Sequence, residues 1–187
     1  MSREDQLRWD EKWAKISGNR FQPNNLLKSH RHLLSKGDAL DLACGRGQNS
    51  IWLAQIGYQV LGVDISPIAL EKANIEAERQ GANERTRFMI ADLDQWIIPE
   101  KAFDLICVFR FLDRRLFSAI SRGLREGGLL FYSTRYQGSL KQAPDENTQF
   151  LLQPGELAAT FANWIILHDW EDDRKAYFVA KKPSNND

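Results

Sequence analysis

Residues 41–66, DLACGRGQNSIWLAQIGYQVLGVDIS, decide the fold. The apolar run Asp38 to Ala43 reads as a strand that breaks at Cys44-Gly45-Arg46-Gly47. Asn49 to Gln55 then continues as a helix closed by Gly57, and Tyr58 to Asp64 is a second strand. A strand, a glycine turn, a helix and another strand make a βαβ unit, so the sheet that contains them is parallel. Working outward, Ser66 is placed to cap the next helix. Pro67 suits its first turn, where a missing N–H costs nothing, and Gly81 marks its end. Arg87 to Ala91 and Phe103 to Phe109 are predicted as the third and fourth strands, with a short helix or loop over Leu93 to Lys101. Leu116, Ile120 and Leu124 recur at helical spacing before a Gly127-Gly128 turn, and Leu129 to Thr134 is the fifth strand. These elements form a doubly wound core.

The last third is different in kind. Arg135 to Gln149 is polar and loop-like, and Pro154 to Phe161 reads as a helix. Trp164 to Trp170 and Ala176 to Ala180 flank the charged turn Glu171 to Arg174, the pattern of an antiparallel hairpin. The first 37 residues carry Trp9, Trp13, Phe21 and two histidines without a strand pattern, and are read as a helical or irregular lid.

Length and composition fit one domain over residues 1–187, with a lid over 1–37 and a core over 38–182. The 187 residues are 43% hydrophobic, enough for a substantial core at this length. Twenty-five Lys and Arg balance 25 Asp and Glu, so no basic field draws nucleic acid or an anionic membrane, and a small-molecule partner is expected. The charged N-terminus lacks an apolar leader, and no run approaches the roughly 20 apolar residues of a spanning helix. Cys44 and Cys107 have no metal-ligand spacing, so no metal is expected, and their scarcity suits a reducing, cytoplasmic setting.

In open α/β sheets ligands bind beyond the carboxyl ends of the strands. Four such ends carry specific residues here. Asp41 precedes the glycine turn, and Asp64 lies 19 residues after Gly45, near the offset at which an acid grips ribose hydroxyls in dinucleotide folds. Asp92 and Leu93 follow the third strand, and Phe109-Arg110-Phe111 the fourth. Ser50 replaces the third glycine of the dinucleotide fingerprint, and Asp41 would repel a pyrophosphate. A sulfonium cation with a zwitterionic tail suits such an acidic crevice better.

The quoted stretch resembles the glycine-rich motif and acidic second strand of class I S-adenosylmethionine-dependent methyltransferases. Within them the chain resembles the small tellurite-resistance and thiopurine-type branch, from about Leu26 to Lys182. LREGGLLFYST is similar to the glycine turn before that family's fifth strand, and the final hairpin to its reversed last strand. The resemblance implies an α/β, doubly wound, Rossmann-like, mostly parallel seven-stranded sheet ending in an antiparallel hairpin. It also implies that S-adenosylmethionine is bound and S-adenosylhomocysteine released. By it Asp41, Gly45 and Gly47 cradle the methionine moiety, Asp64 the ribose, and Asp92 with Leu93 the adenine. Ala43, Cys44, Asn49, Ile65, Ser66 and Phe109 complete the cofactor site. Alanine stands at 43 where many members have glycine, and FRFLDR after the fourth strand matches no nucleic-acid or amine methyltransferase signature.

The expected reaction is methyl transfer to a small thiol, metalloid or similar nucleophile. His30, His32 and Asp113 are base candidates, Arg110 an orienting group for an anionic acceptor, and Tyr136 a closing residue. Trp9 and Trp13, four apart, are read as walls of the acceptor pocket with Arg110 and Tyr136. Each has a plainer role open to it: Asp41 and Asp64 as caps of backbone amides, Asp92 as the cap of the next turn, Cys44 as a small buried residue, and the histidines as solvated side chains. Arg110 has one in laying its stem over the phenylalanines, and the tryptophans in anchoring the lid. Two rival functions remain, a nicotinamide-dependent oxidoreductase and a non-catalytic S-adenosylmethionine-binding module. The chain is read as a monomer or homodimer.

Overall fold

In the computed structural model, residues 3–16, 21–138 and 147–184 are described; part of the predicted lid and part of the predicted loop 135–149 fall outside them. Among the described residues seven strands follow the order β3-β2-β1-β4-β5-β7-β6. They are β1 (Gly37–Leu42), β2 (Tyr58–Asp64), β3 (Thr86–Ile90), β4 (Phe103–Phe109), β5 (Leu124–Arg135), β6 (Ile165–Glu171) and β7 (Lys175–Lys181). The chain divides into two compact units, Met1–Ile97 and Ile98–Asp187.

In the first unit β1 pairs parallel with β2, and β2 with β3, with Asp41 opposite Gly62 and Asp64 opposite Ile90. The four residues closing β1 are all buried, which is what a parallel strand covered on both faces requires. Helix α3 (Gln48–Gln55) leaves the glycine turn and α4 (Pro67–Arg79) leaves the end of β2. The α4 terminus is built as its sequence predicts: Ser66 Oγ accepts from the Ala69 N–H at 3.1 Å, with Pro67 in the first turn. Ala69, Leu70, Ala73 and Ala77, spaced along one face, are buried. The lid segment contains helix α1 (Arg3–Lys15) and the short α2 (Asn25–Ser29).

In the second unit β4 runs parallel to β5, β5 antiparallel to β7, and β7 antiparallel to β6. The predicted hairpin is therefore present. Helix α5 (Leu116–Gly123) buries Leu116, Phe117 and Ile120, and α6 (Glu156–Thr160) is a short turn of helix. Fully buried Leu105, Ile106, Phe131 and Phe178 each contribute about 1.5–3 kcal/mol by leaving water.

One expectation is corrected. Gly127-Gly128 is not a turn ahead of the strand: β5 already begins at Leu124 and runs through both glycines. The irregularity is absorbed inside it, by Gly127 at φ 74° and a register shift opposite Phe103 and Leu105. Leu93 to Lys101 takes the loop form of the two that its sequence allows, with turns and no helix, Asp92 closing the first turn. No helix among the described residues is long and apolar enough to cross a membrane.

Candidate functional site

The turn after β1 is held in a conformation that its sequence makes affordable. Gly45 and Gly47 have φ of 56° and 75°, in the left-handed region where a side chain is strained. Ala43, at φ 52°, adopts the same region without that freedom. Ala43→Gly is expected to raise stability by about 1 kcal/mol, or about 2–4 °C in Tm, when followed by thermal unfolding.

Two buried carboxylates hold this turn. Asp64, 7% exposed, accepts from the Gly45 N–H at 2.7 Å through Oδ2 and from the Ser66 N–H at 3.0 Å through Oδ1. One side chain thereby ties the glycine turn to the start of α4. Asp41, 1% exposed, accepts from Ser50 Oγ at 2.6 Å. Burial pushes Asp41 up to about 7, against hydrogen bonds from Ser50, and the Asp64 charge adds to the rise. Burial likewise raises Asp64, opposed by the N–H groups of Ser66, Gly45 and Ile65, while Asp10 adds to the rise. Two desolvated carboxylates beside one turn are the electrostatic setting of a site that receives a cation. Cys44 lies in the same turn, and burial with Asp41 and Asp64 beside it pushes its thiol well above its ordinary range. That is the reverse of what a nucleophilic thiol needs.

Helix α1 lies over this turn. A Cβ placed on Gly45 would come within 2.7 Å of Trp13 Cζ2, so the indole rests on bare glycine backbone. Lys72 Nζ, from α4, donates to the carbonyls of Trp13 at 2.5 Å and Ile16 at 3.2 Å, and Ser66 Oγ donates to Asp10. The Arg46 guanidinium sits 5.8 Å from the Trp13 ring and 5.9 Å from that of Phe21. Asp10, Arg46 and Lys72 were missed in the sequence. The only available signal was that Asp10 and Trp13, three apart on a helix, share a face.

A family described as a methyltransferase domain matches residues 39–128. The 2-heptyl-1-hydroxyquinolin-4(1H)-one methyltransferase of Mycobacteroides abscessus is 30% identical over 131 residues, 70% of this chain and 45% of that protein. A probable S-adenosyl-L-methionine-dependent methyltransferase, TehB of Haemophilus influenzae, is 31% identical over 97 residues, 50% of this chain and 33% of its own. The TehB crystal structure superposes with a TM-score of 0.73 at 19% identity, covering 93% of this chain and 67% of that one. Geranyl diphosphate C-methyltransferase from Streptomyces coelicolor, crystallised with S-adenosyl-L-homocysteine, gives a TM-score of 0.69 at 15% identity, over 84% and 79% of the two chains. Residues 39–128 thus match a methyltransferase domain, and the relatives matched include an S-adenosyl-L-methionine-dependent methyltransferase. The chain spans less than half the length of the curated relatives it matches. The tellurite-resistance branch that its sequence resembles is represented among them by TehB.

The other predicted site residues of the methyltransferase fall into two groups. Beside the glycine turn, Ile65 and Ser66 are buried, with Ser66 shared between α4 and Asp10. Asn49 Oδ1 accepts from the Asn24 N–H at 2.8 Å and so fixes the entry to α2. Trp9 stacks on Trp13 with ring centres 6.4 Å apart. Asp92 has the capping role: Oδ1 accepts from the Asp94 N–H at 2.9 Å, and its carbonyl from Gln95 and Trp96, while Leu93 is buried. Asp41 and Asp64 thus stand on either side of the glycine turn, Asp41 bonded to Ser50 and Asp64 to Gly45 and Ser66, and Asp92 has a turn of its own.

The base candidates are engaged elsewhere. His30 Nδ1 lies 3.0 Å from the Leu26 carbonyl at the end of α2, and its ring stacks on His32. Asp113 holds Arg115 through both carboxylate oxygens, at 2.9 and 2.7 Å. In the second unit Phe109 is buried, and Arg110 is exposed at φ 59°, its N–H donating to the Ser133 carbonyl at 2.8 Å. Ser133 Oγ is buried with no hydrogen-bond partner among the described residues. Tyr136 bridges Leu152, and burial, with Glu171, Asp173 and Asp172, raises its phenol.

Proposed function

We propose that the protein binds S-adenosylmethionine at the Gly45–Gly47 turn and transfers its methyl group to a small nucleophilic acceptor, a thiol, a metalloid or a similar group. The observation that carries this reading is the pair of buried carboxylates Asp41 and Asp64 around a glycine turn, Asp64 holding the Gly45 N–H and Asp41 the Ser50 hydroxyl. The residues fit the group. Each Asp64 oxygen takes one backbone N–H and keeps lone-pair capacity for a ribose hydroxyl, and Asp41 supplies negative charge for the methionine ammonium. Asp92 and Leu93 complete the adenine end. When bound, S-adenosylmethionine supplies an electrophilic methyl on a sulfonium; in an in-line displacement the acceptor's lone pair forms the new bond to carbon as the carbon–sulfur bond breaks and its electrons return to sulfur.

The protein's own contribution is alignment and exclusion of water, for which about 7–11 kcal/mol of barrier reduction is attainable from proximity alone. Trp9 and Trp13 serve the second task. An acceptor proton, where there is one, leaves to solvent or to a base, since His30 and Asp113 are held by their own neighbours. Arg110, strained and exposed at the end of β4, orients an anionic acceptor. Arg110→Gln is expected to raise KM about 10- to 100-fold for anionic acceptors and leave neutral ones unchanged, in steady-state assays. Two free, buried cysteines support a reducing, cytoplasmic setting.

The test is calorimetric titration with S-adenosylhomocysteine, followed by a panel of thiols, metalloid anions and small carboxylates assayed for its release from S-adenosylmethionine. Saturable binding with turnover on part of the panel is the expected result. Absence of binding contradicts the reading, and binding with silence across the panel favours a non-catalytic module.

A further inference from the structure

The geometry points to an anion seat at the end of β5, where the Lys175 ammonium and the Arg110 guanidinium hold an anionic group of the acceptor, a carboxylate or a tetrahedral oxyanion. This inference rests on the reading of the chain as a methyltransferase of a small acceptor, and names what that acceptor carries. Arg110 stands one residue beyond β4, and its N–H donates to the Ser133 carbonyl of β5 at 2.8 Å. Lys175 opens β7 and lies directly opposite Arg135 in the antiparallel pair of β5 and β7. Neighbouring strands are about 4.8 Å apart, so the backbones of Arg110 and Lys175 flank the end of β5 at about 10 Å, a gap that two long side chains close. Side chains alternate between the faces of a strand, so Ser133, Arg135 and Lys175 share one face.

Arg135 and Lys175 are like charges set directly opposite each other, a pairing that destabilises a sheet unless an anion offsets it. Burial lowers the Lys175 ammonium and Arg110 lowers it further, against the Asp172 charge, with Arg135 and Arg174 adding to the fall. The nearby acids spend their oxygens on other donors. Glu171 accepts from the Gly155 N–H at 2.9 Å, and Asp172 from the Tyr177 hydroxyl at 2.7 Å and from the N–H groups of Arg174 and Lys175 at 2.7 and 2.8 Å. Among the described residues nothing accepts a hydrogen bond from the Arg110 guanidinium or the Lys175 ammonium. On the same face the buried Ser133 Oγ has no partner among the described residues either, and a buried polar group left over in this way calls for an explanation. One oxyanion supplies it: the guanidinium fork fits two of its oxygens, the ammonium adds a point charge, and the hydroxyl donates from below. Arg110 holds its left-handed backbone, at φ 59°, at this spot, and such strain gathers where a side chain must be aimed at a ligand.

The test is calorimetric titration of the full chain, saturated with S-adenosylhomocysteine and held at constant ionic strength with sodium chloride. The probes are inorganic phosphate, 3-mercaptopropionate and the methyl ester of that acid. Saturable binding of phosphate or of the acid is expected, about 10-fold or more tighter than that of the ester. Whichever anion binds separates a tetrahedral oxyanion from a carboxylate. Lys175→Gln and Arg110→Gln are each expected to weaken anion binding about 10- to 100-fold with S-adenosylhomocysteine affinity unchanged, and Lys175→Arg to restore most of the loss. Arg122→Gln removes an exposed cation paired with Glu100, and is expected to change neither affinity. With S-adenosylhomocysteine still bound, neither anion binding above the level of the ester overturns this proposal alone, as does anion binding that survives Lys175→Gln. A natural protein that fails to bind S-adenosylhomocysteine overturns the cofactor reading and this proposal with it.

Discussion

Asp64→Ala is expected to weaken S-adenosylhomocysteine binding roughly 100-fold or more, because two charge-assisted hydrogen bonds to ribose hydroxyls, each about 1.5–3 kcal/mol, are lost together. The same substitution strips the Gly45 and Ser66 N–H groups of their acceptor. Each buried N–H left unmatched costs about 1–3 kcal/mol, so Tm falls as well. The two effects separate by measurement: calorimetry reports affinity on protein that circular dichroism shows to be folded. Asp64→Asn refines the comparison. Its amide keeps one acceptor oxygen and turns a donor toward the other N–H, so it retains part of the turn and forfeits the bidentate hold on a ribose. Wild-type affinity in both variants would remove Asp64 from the cofactor site.

The second large effect is a dependence on pH set by Asp41. Its folded value of about 7 lies above its ordinary value of 3.8, so between those limits the folded protein holds a proton that the unfolded chain has released. Stability is therefore lost as pH rises through this window, by an amount of the order of 4 kcal/mol in all, and is flat with respect to this group above it. Asp41→Asn abolishes the window. Whatever its baseline, the stability of the variant relative to the natural protein is expected to improve by about 3 kcal/mol between about pH 5 and pH 8, read from denaturant unfolding. Its cofactor affinity should fall about 10- to 100-fold, since the ammonium loses its carboxylate. In the natural protein a bound cation favours the ionised acid, so affinity rises with pH up to about 7 and levels off, and binding at lower pH releases a proton. A difference that stays constant with pH would show that Asp41 is not the buried titrating group.

The core was legible because each strand end carries its own punctuation. Tyr58–Asp64 and Phe103–Phe109 stand where the sequence puts them, bounded by Gly57 and Ser66 in one case and by Ala102 and Arg110 in the other. Ser66-Pro67 fixed the start of α4 through a local hydrogen bond that a sequence can encode. Gly127-Gly128 misled because a glycine pair suits a bulge within a strand as well as a turn before one; pairing with β4 and β7 decided the matter. In the candidate site, Asp41, Gly45, Gly47 and Asp64 were readable from their spacing along adjoining strands. Asp10 was not, because its bond to Ser66 spans 56 positions and depends on where α1 docks. Arg114 escaped notice for a similar reason. It holds Glu156 through two hydrogen bonds, of 2.6 and 2.8 Å, and accepts no hint of that partner from its own neighbourhood in sequence.

The most direct test is a crystal structure with S-adenosylhomocysteine. The account predicts the amino-acid tail against Gly45 and Gly47 near Asp41, with both ribose hydroxyls donating to Asp64. A nucleoside bound elsewhere, or one whose ribose leaves Asp64 with its two backbone partners alone, would contradict it.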